Sequence, residues 1–70
     1  MTCDVSLRDS RTLARIINLA HRFTCDTIAV DANRAGTTTQ AHFAFAGPPA
    51  ALVRLRAQID RVIASEGSPA

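Results

Sequence analysis

The sequence predicts an α+β domain in the order strand, helix, strand, strand, helix, with both helices over one face of a three-stranded sheet. Three observations carry this. TCDVSL, DTIAVDA and TTTQAHFAFA alternate apolar and polar residues with the period of a strand covered on one face. Two other segments space their apolar residues as an amphipathic helix does. Asn, Gly and Pro punctuate the joints between them. Seventy residues hold one domain. A chain this short buries only about 60% of its unfolded surface, so an unpaired sheet edge predicts a partner chain.

In the first strand Cys3, Val5 and Leu7 share one face, and Thr2, Asp4 and Ser6 share the other. Asp9 or Ser10 then offers an N-cap oxygen to a helix starting near Arg11 or Thr12. Leu13, Ile16, Ile17, Ala20 and Phe23 form its apolar stripe, with Leu19 on the flank and Arg11, Arg15, Asn18 and Arg22 facing away. The helix should end near Phe23–Thr24. DTIAVDA points Ile28, Val30 and Ala32 inward, and NRAG reads as the turn of a hairpin. The returning arm points Thr39, Ala41, Phe43 and Phe45 inward, with Gln40, His42, Ala44 and Ala46 opposite.

GPP stops that strand because proline lacks the ladder donor, and proline suits a first helical turn. From Ala50 the stripe is Leu52, Leu55, Ile59, Val62 and Ile63, with Arg54, Gln58 and Arg61 as an outer ridge. Arg56 and Asp60 form an i,i+4 pair. The domain is expected over residues 1–65, with 66–70 as a tail. Right-handed crossover makes the first two strands parallel, and the third inserts between them, for an order first, third, second.

The net charge is +2, and all 8 basic residues are arginine. Acids are interspersed among them (Arg8/Asp9, Asp31/Arg34, Arg56/Asp60), and the 3 Phe fit core positions, which argues against nucleic-acid binding. No apolar run is long enough to span a membrane, and MTCDVSLRD lacks the regions of a signal peptide. The expectation is a cytoplasmic chain with Cys3 and Cys25 reduced.

Little points to catalysis. His21 and Cys25 are spaced i,i+4, but the helix should end between them, only Cys3 could add a third ligand, and no CxxC or HxxxH pair occurs, so no metal is expected. The third strand should separate Cys3 from Cys25 and prevent a disulfide. No oxyanion loop or orienting acid accompanies a Cys/His pair. The 3 glycines are dispersed, so no phosphate-cradling loop forms. The chain is expected to be no enzyme and to hold no cofactor. His42 belongs with Thr2, Asp4, Ser6, Thr27, Ala29, Gln40 and Ala44 to a small, mildly polar sheet face. That face is either solvated or a docking surface.

The pattern resembles the ACT domain, a ferredoxin-like fold, and more narrowly the small regulatory subunit of acetolactate synthase. LARIINLAHRF resembles that family's L-x-R-I-x-x-L-x-x-R helix, DTIAVDA stands in the place of its N-I-x-S-L-x-V strand, and LRAQIDRVIAS looks like its C-terminal Q-L-x-K-L-x-D-V helix. The likeness runs from Val5 to about Ile63. It implies a non-catalytic subunit that activates or stabilises a thiamine-diphosphate-dependent large subunit in branched-chain amino-acid biosynthesis, with the cofactor held by the large subunit. An alternative is a free-standing homodimer sensing an amino acid or small anion. A lower one is an RNA-binding module.

Two departures from the family matter. SEGSPA offers no fourth strand, which leaves the first strand with a bare edge. Side-by-side dimers or contacts with a catalytic subunit are usual in the family, so Cys3, Asp4, Val5, Ser6 and His42 are the expected partner interface. Valine-sensing relatives hold the effector with Asn and Gly before the first helix and Asn opening the second strand. Arg8, Arg11 and Asp26 stand at those places here. The resemblance thus puts an effector site at Arg8, Asp9, Ser10, Arg11, Thr12, Asp26 and Thr27, altered as in valine-insensitive small subunits, which SRT before LARI resembles.

Overall fold

β3 (Thr38–Ala46) is the centre of the structure, antiparallel to β1 (Thr2–Leu7) on one side and to β2 (Asp26–Ala35) on the other. The sheet order is β1-β3-β2, so β1 and β2 run parallel with β3 inserted between them, as expected. α1 (Arg11–Arg22) and α2 (Pro49–Gly67) complete an α+β fold in this computed structural model, which describes residues 1–67.

Alternation along β3 places Thr39, Ala41, Phe43 and Phe45 on the covered face, all buried. Phe43 and Phe45 stack with ring centroids 5.5 Å apart. Leu7, Ile16, Leu55 and Ile59 are fully buried with them, and Cys3, Ala20 and Cys25 fill the remaining gaps. Removing each large side chain from water contributes about 1.5–3 kcal/mol, the main source of stability in a chain this small.

The hairpin departs from expectation twice. β2 runs on through Ala35, which pairs with Thr38, and the turn is Gly36–Thr37 rather than NRAG. Gly36 has φ +64, the left-handed geometry that the first residue of a tight two-residue turn requires. β2 also carries a bulge. Thr27 pairs with Phe45 and Ala29 with Ala44, so Ile28 is an extra residue. The extra residue moves Thr27 to the covered face instead of the open one, and leaves Ile28 67% exposed rather than inward. Val30 and Ala32 keep the covered-side phase, opposite Phe43 and Ala41, yet Val30 is 42% exposed and Ala32 is exposed as well. α1 approaches β2 and α2 approaches β1, yet from Ile28 onward the residues of β2 are left exposed.

α1 is also shifted from its expected stripe. Ile17 lies at an exposed margin while Thr12 is buried with Ile16 and Ala20. Its C-terminus is closed by Thr24 N–H to the His21 carbonyl at 3.1 Å and Cys25 N–H to the Ala20 carbonyl at 2.8 Å. This double bond pattern usually uses glycine at the left-handed position; here Thr24 occupies it with φ 58. α2 starts at Pro49 and continues through Gly67, past the boundary expected at Ser65. Residues 68–70 of the expected tail lie outside the described residues.

Candidate functional site

The β1–α1 loop is organised by two carboxylates. Ser10 occupies the N-cap position of α1 but makes no capping bond through its side chain. Asp9 serves instead: its Oδ1 accepts the Arg11 backbone N–H at 2.9 Å, and its Oδ2 pairs with the Arg11 guanidinium at 2.8 Å. The Arg11 side-chain hydrogen bonds, followed by its backbone N–H, hold the Asp9 carboxyl below its ordinary range. The second carboxylate comes from the far end of the chain. Glu66 accepts the backbone N–H of Arg8 at 2.7 Å and of Asp9 at 3.1 Å, and also the Thr12 hydroxyl. Burial pushes its pKa up, but the Thr12 hydroxyl and the two N–H donors outweigh that and leave it lowered.

The expected effector residues therefore fall into two groups. Arg8, Asp9, Ser10, Arg11 and Thr12 lie around the loop, where Glu66 engages the Arg8 and Asp9 N–H groups and the Thr12 hydroxyl, and Asp9 engages Arg11. Asp26 and Thr27 start β2, opposite Ala46 and Phe45. β1 ends with Leu7 opposite Thr39. Thr39 and Phe45 are separated by about 20 Å along β3 at the usual strand rise. One chain does not bring Asp26 to Arg8.

The residues expected at a partner interface are also divided. Cys3 is buried in the core beneath the helices, so its side chain is not available to a partner. Val5 packs partly against the same core. Asp4, Ser6 and His42 do lie on the open face. There the register aligns Asp4, His42 and Asp31 in one cross-strand row and Ser6, Gln40 and Asn33 in the next. His42 Nδ1 is hydrogen-bonded to Asp4 Oδ1, and Gln40 Nε2 donates to Ser6 Oγ at 3.1 Å. Among the described residues no three His, Cys, Asp or Glu side chains converge to hold a metal. Cys3 and Cys25 are both free and buried.

A feature that the linear sequence hides is the sorting of charge. Asp4, Asp26 and Asp31 share the open sheet face by their register with His42 and Ala46. Arg11, Arg15, Arg22, Arg54, Arg56 and Arg61 all stand on the two helices. Of these, Arg11 is paired with Asp9 and Arg56 with Asp60. Between the helices runs a cleft of 320 Å³ lined by Arg15, Asn18, Leu19, Arg22, Gln58 and Val62. The expected solvent ridge of α2 is thus partly a cleft wall, with Gln58 half-buried in it.

Fold and surface together define a small α+β domain built on a split β-α-β crossover, with one open sheet face and, among the described residues, two unpaired edges. No protein-family model, curated protein or solved structure matches the chain. No helix among the described residues is long and apolar enough to cross a membrane.

Proposed function

We propose that this chain is a non-catalytic regulatory module that works by side-by-side association through β2. The observation that carries this reading is the exposure of β2. Its alternation calls for burial, yet Val30 is 42% exposed and Ile28 67%, and Ile17 of α1 adds an apolar residue that is 37% exposed. On the covered face of β1, Cys3 and Leu7 are already buried within the chain and Val5 is partly buried against the same core. The edge that needs a partner is therefore β2 rather than β1.

A second copy related by a twofold axis satisfies it. Centring the pair on Ala32 sets Ala29 opposite Ala35, Val30 opposite Arg34 and Asp31 opposite Asn33, with no like charges facing. Pairing through this edge also brings a second copy's β2 beside the first copy's helix layer, so the divided effector residues need not come from one chain. The resemblance to acetolactate synthase small subunits then names the enzyme to test first, a thiamine-diphosphate-dependent large subunit that the module activates or stabilises.

The test has two parts. Light scattering should give a dimer for the native chain and a monomer for Val30→Arg. Synthase activity of a large subunit from the same source should rise with the native chain and fall back with Val30→Arg. A monomeric native chain that neither co-elutes with nor activates the large subunit overturns the reading.

A further inference from the structure

We propose that the cleft between α1 and α2 is a binding site for a small ligand carrying two phosphate groups. This goes beyond the β2 association, since it uses the opposite side of the helix layer and needs no second chain.

Arg15 and Arg22 are seven residues apart on α1, and Arg54 and Arg61 are seven apart on α2. Seven residues are close to two helical turns, about 10 Å of axis, so each pair stands on one helix face. Arg15 and Arg22 line the cleft directly, facing Gln58 and Val62 of α2. Arg54 stands one turn before Gln58 and, with Arg22, lines the adjoining depression. Arg61 follows Gln58 by three residues on the same face. Arg15 and Arg22 thus line the cleft with two amides, Asn18 and Gln58, and an apolar floor of Leu19 and Val62, while Arg54 and Arg61 flank Gln58 along α2.

Among the described residues none of the four arginines makes a salt bridge: the pairs present are Arg11–Asp9, His42–Asp4 and Arg56–Asp60. The acids are committed elsewhere. Asp4, Asp26 and Asp31 are on the far side of the sheet, and Glu66, the acid closest in sequence to Val62 after Asp60, is turned into the β1–α1 loop. Among the described residues no carboxylate lines the cleft. The guanidinium groups of Arg15 and Arg22 in the cleft, and of Arg54 and Arg61 beside Gln58 on α2, repel one another, and an anion relieves that repulsion. Guanidinium matches phosphate oxygens in bidentate geometry, and the amides add neutral donors.

Size selects the ligand. A cleft of 320 Å³ suits a small molecule, being at the low end of the usual range of about 300–1,000 Å³. No aromatic ring lines it to stack a base, which disfavours a nucleic-acid strand. Two arginine pairs about 10 Å long favour two phosphates held apart on a carbon skeleton over a single diphosphate.

Calorimetry at low ionic strength tests this with three probes: a hexose 1,6-bisphosphate, pyrophosphate and an oligothymidylate. The expected result is one bisphosphate bound per chain, more tightly than pyrophosphate. Arg15→Gln with Arg22→Gln, and Arg54→Gln with Arg61→Gln, should each weaken it roughly tenfold or more. All four side chains are exposed, so circular dichroism of the variants should be unchanged. Arg56→Gln, on α2 beside Met1 and Leu52 and away from the cleft, should bind as the native chain does. No bisphosphate binding, an equal loss in Arg56→Gln, or oligothymidylate affinity that exceeds the bisphosphate and grows with length would each overturn the proposal.

Discussion

Glu66, in the last turn of α2, accepts the backbone N–H of Asp9 at 3.1 Å across 57 residues of sequence. With the Arg8 N–H and the Thr12 hydroxyl on the same carboxylate, this ties the end of the last helix to the start of the first. Glu66→Ala should cost about 1 kcal/mol, the usual worth of a helix-capping side chain, and should fray the last turn of α2. Chemical denaturation and amide exchange of residues 62–66 measure both effects.

The same contact makes an acid-sensitive component of stability. The native pKa of Glu66 is lowered from 4.5, so its contribution is fully present above that value and is lost as pH falls through the lower native one. Asp9 behaves likewise from 3.8 because of Arg11. Stability of the native chain should therefore fall as pH drops below 4.5, and Glu66→Gln should fall less steeply there. Parallel slopes for the two proteins would contradict the contact.

Thr24 holds a left-handed conformation at φ 58 without the freedom of glycine. Thr24→Gly should raise stability by about 0.5–1 kcal/mol, while Thr24→Ala, which keeps the Cβ, should not. Thermal melts of the three proteins check this.

Gly47 sits against Cys25. A Cβ at position 47 would meet Cys25 Sγ at 3.0 Å and its Cα at 3.4 Å. Gly47→Ala should destabilise by about 1 kcal/mol or more through overpacking. Cys25→Ala removes the obstructing sulfur, so the double variant should lose less than the sum of the two single ones.

Both thiols are buried, and burial pushes the Cys3 thiol pKa up against a smaller lowering influence from Arg56. Neither should react with an aromatic disulfide reagent in the native state at neutral pH, and both should react once denaturant unfolds the chain. Fast labelling of the native protein would place at least one sulfur at the surface.

The fold was legible because its periodicities are local. Phe43 and Phe45, two apart, and Leu55 and Ile59, four apart, announce their burial without reference to anything else. The position of the turn is not legible in NRAG because Asn33 and Gly36 both tolerate positive φ, and only pairing with Thr38 decides that Ala35 is still strand. The bulge at Ile28 was hidden for a related reason. DTIAVDA alternates without interruption, and the extra residue appears only when Thr27 and Ala29 are matched to neighbouring residues of β3. The loop carboxylate was illegible for a different reason: Glu66 reads as tail until the length of α2 brings it back to Arg8. The arginines looked interspersed along the chain, yet a helix and a strand project neighbouring residues to different sides of the molecule.

That projection has a physical consequence. With Asp4, Asp26 and Asp31 beneath the sheet and six arginines on the helices above it, the chain carries a permanent dipole normal to the sheet that its net charge of +2 does not report. On an anionic surface it should come to rest helices downward with the strands outward, and a cation-exchange column should retain it more strongly than a +2 protein with evenly spread charge.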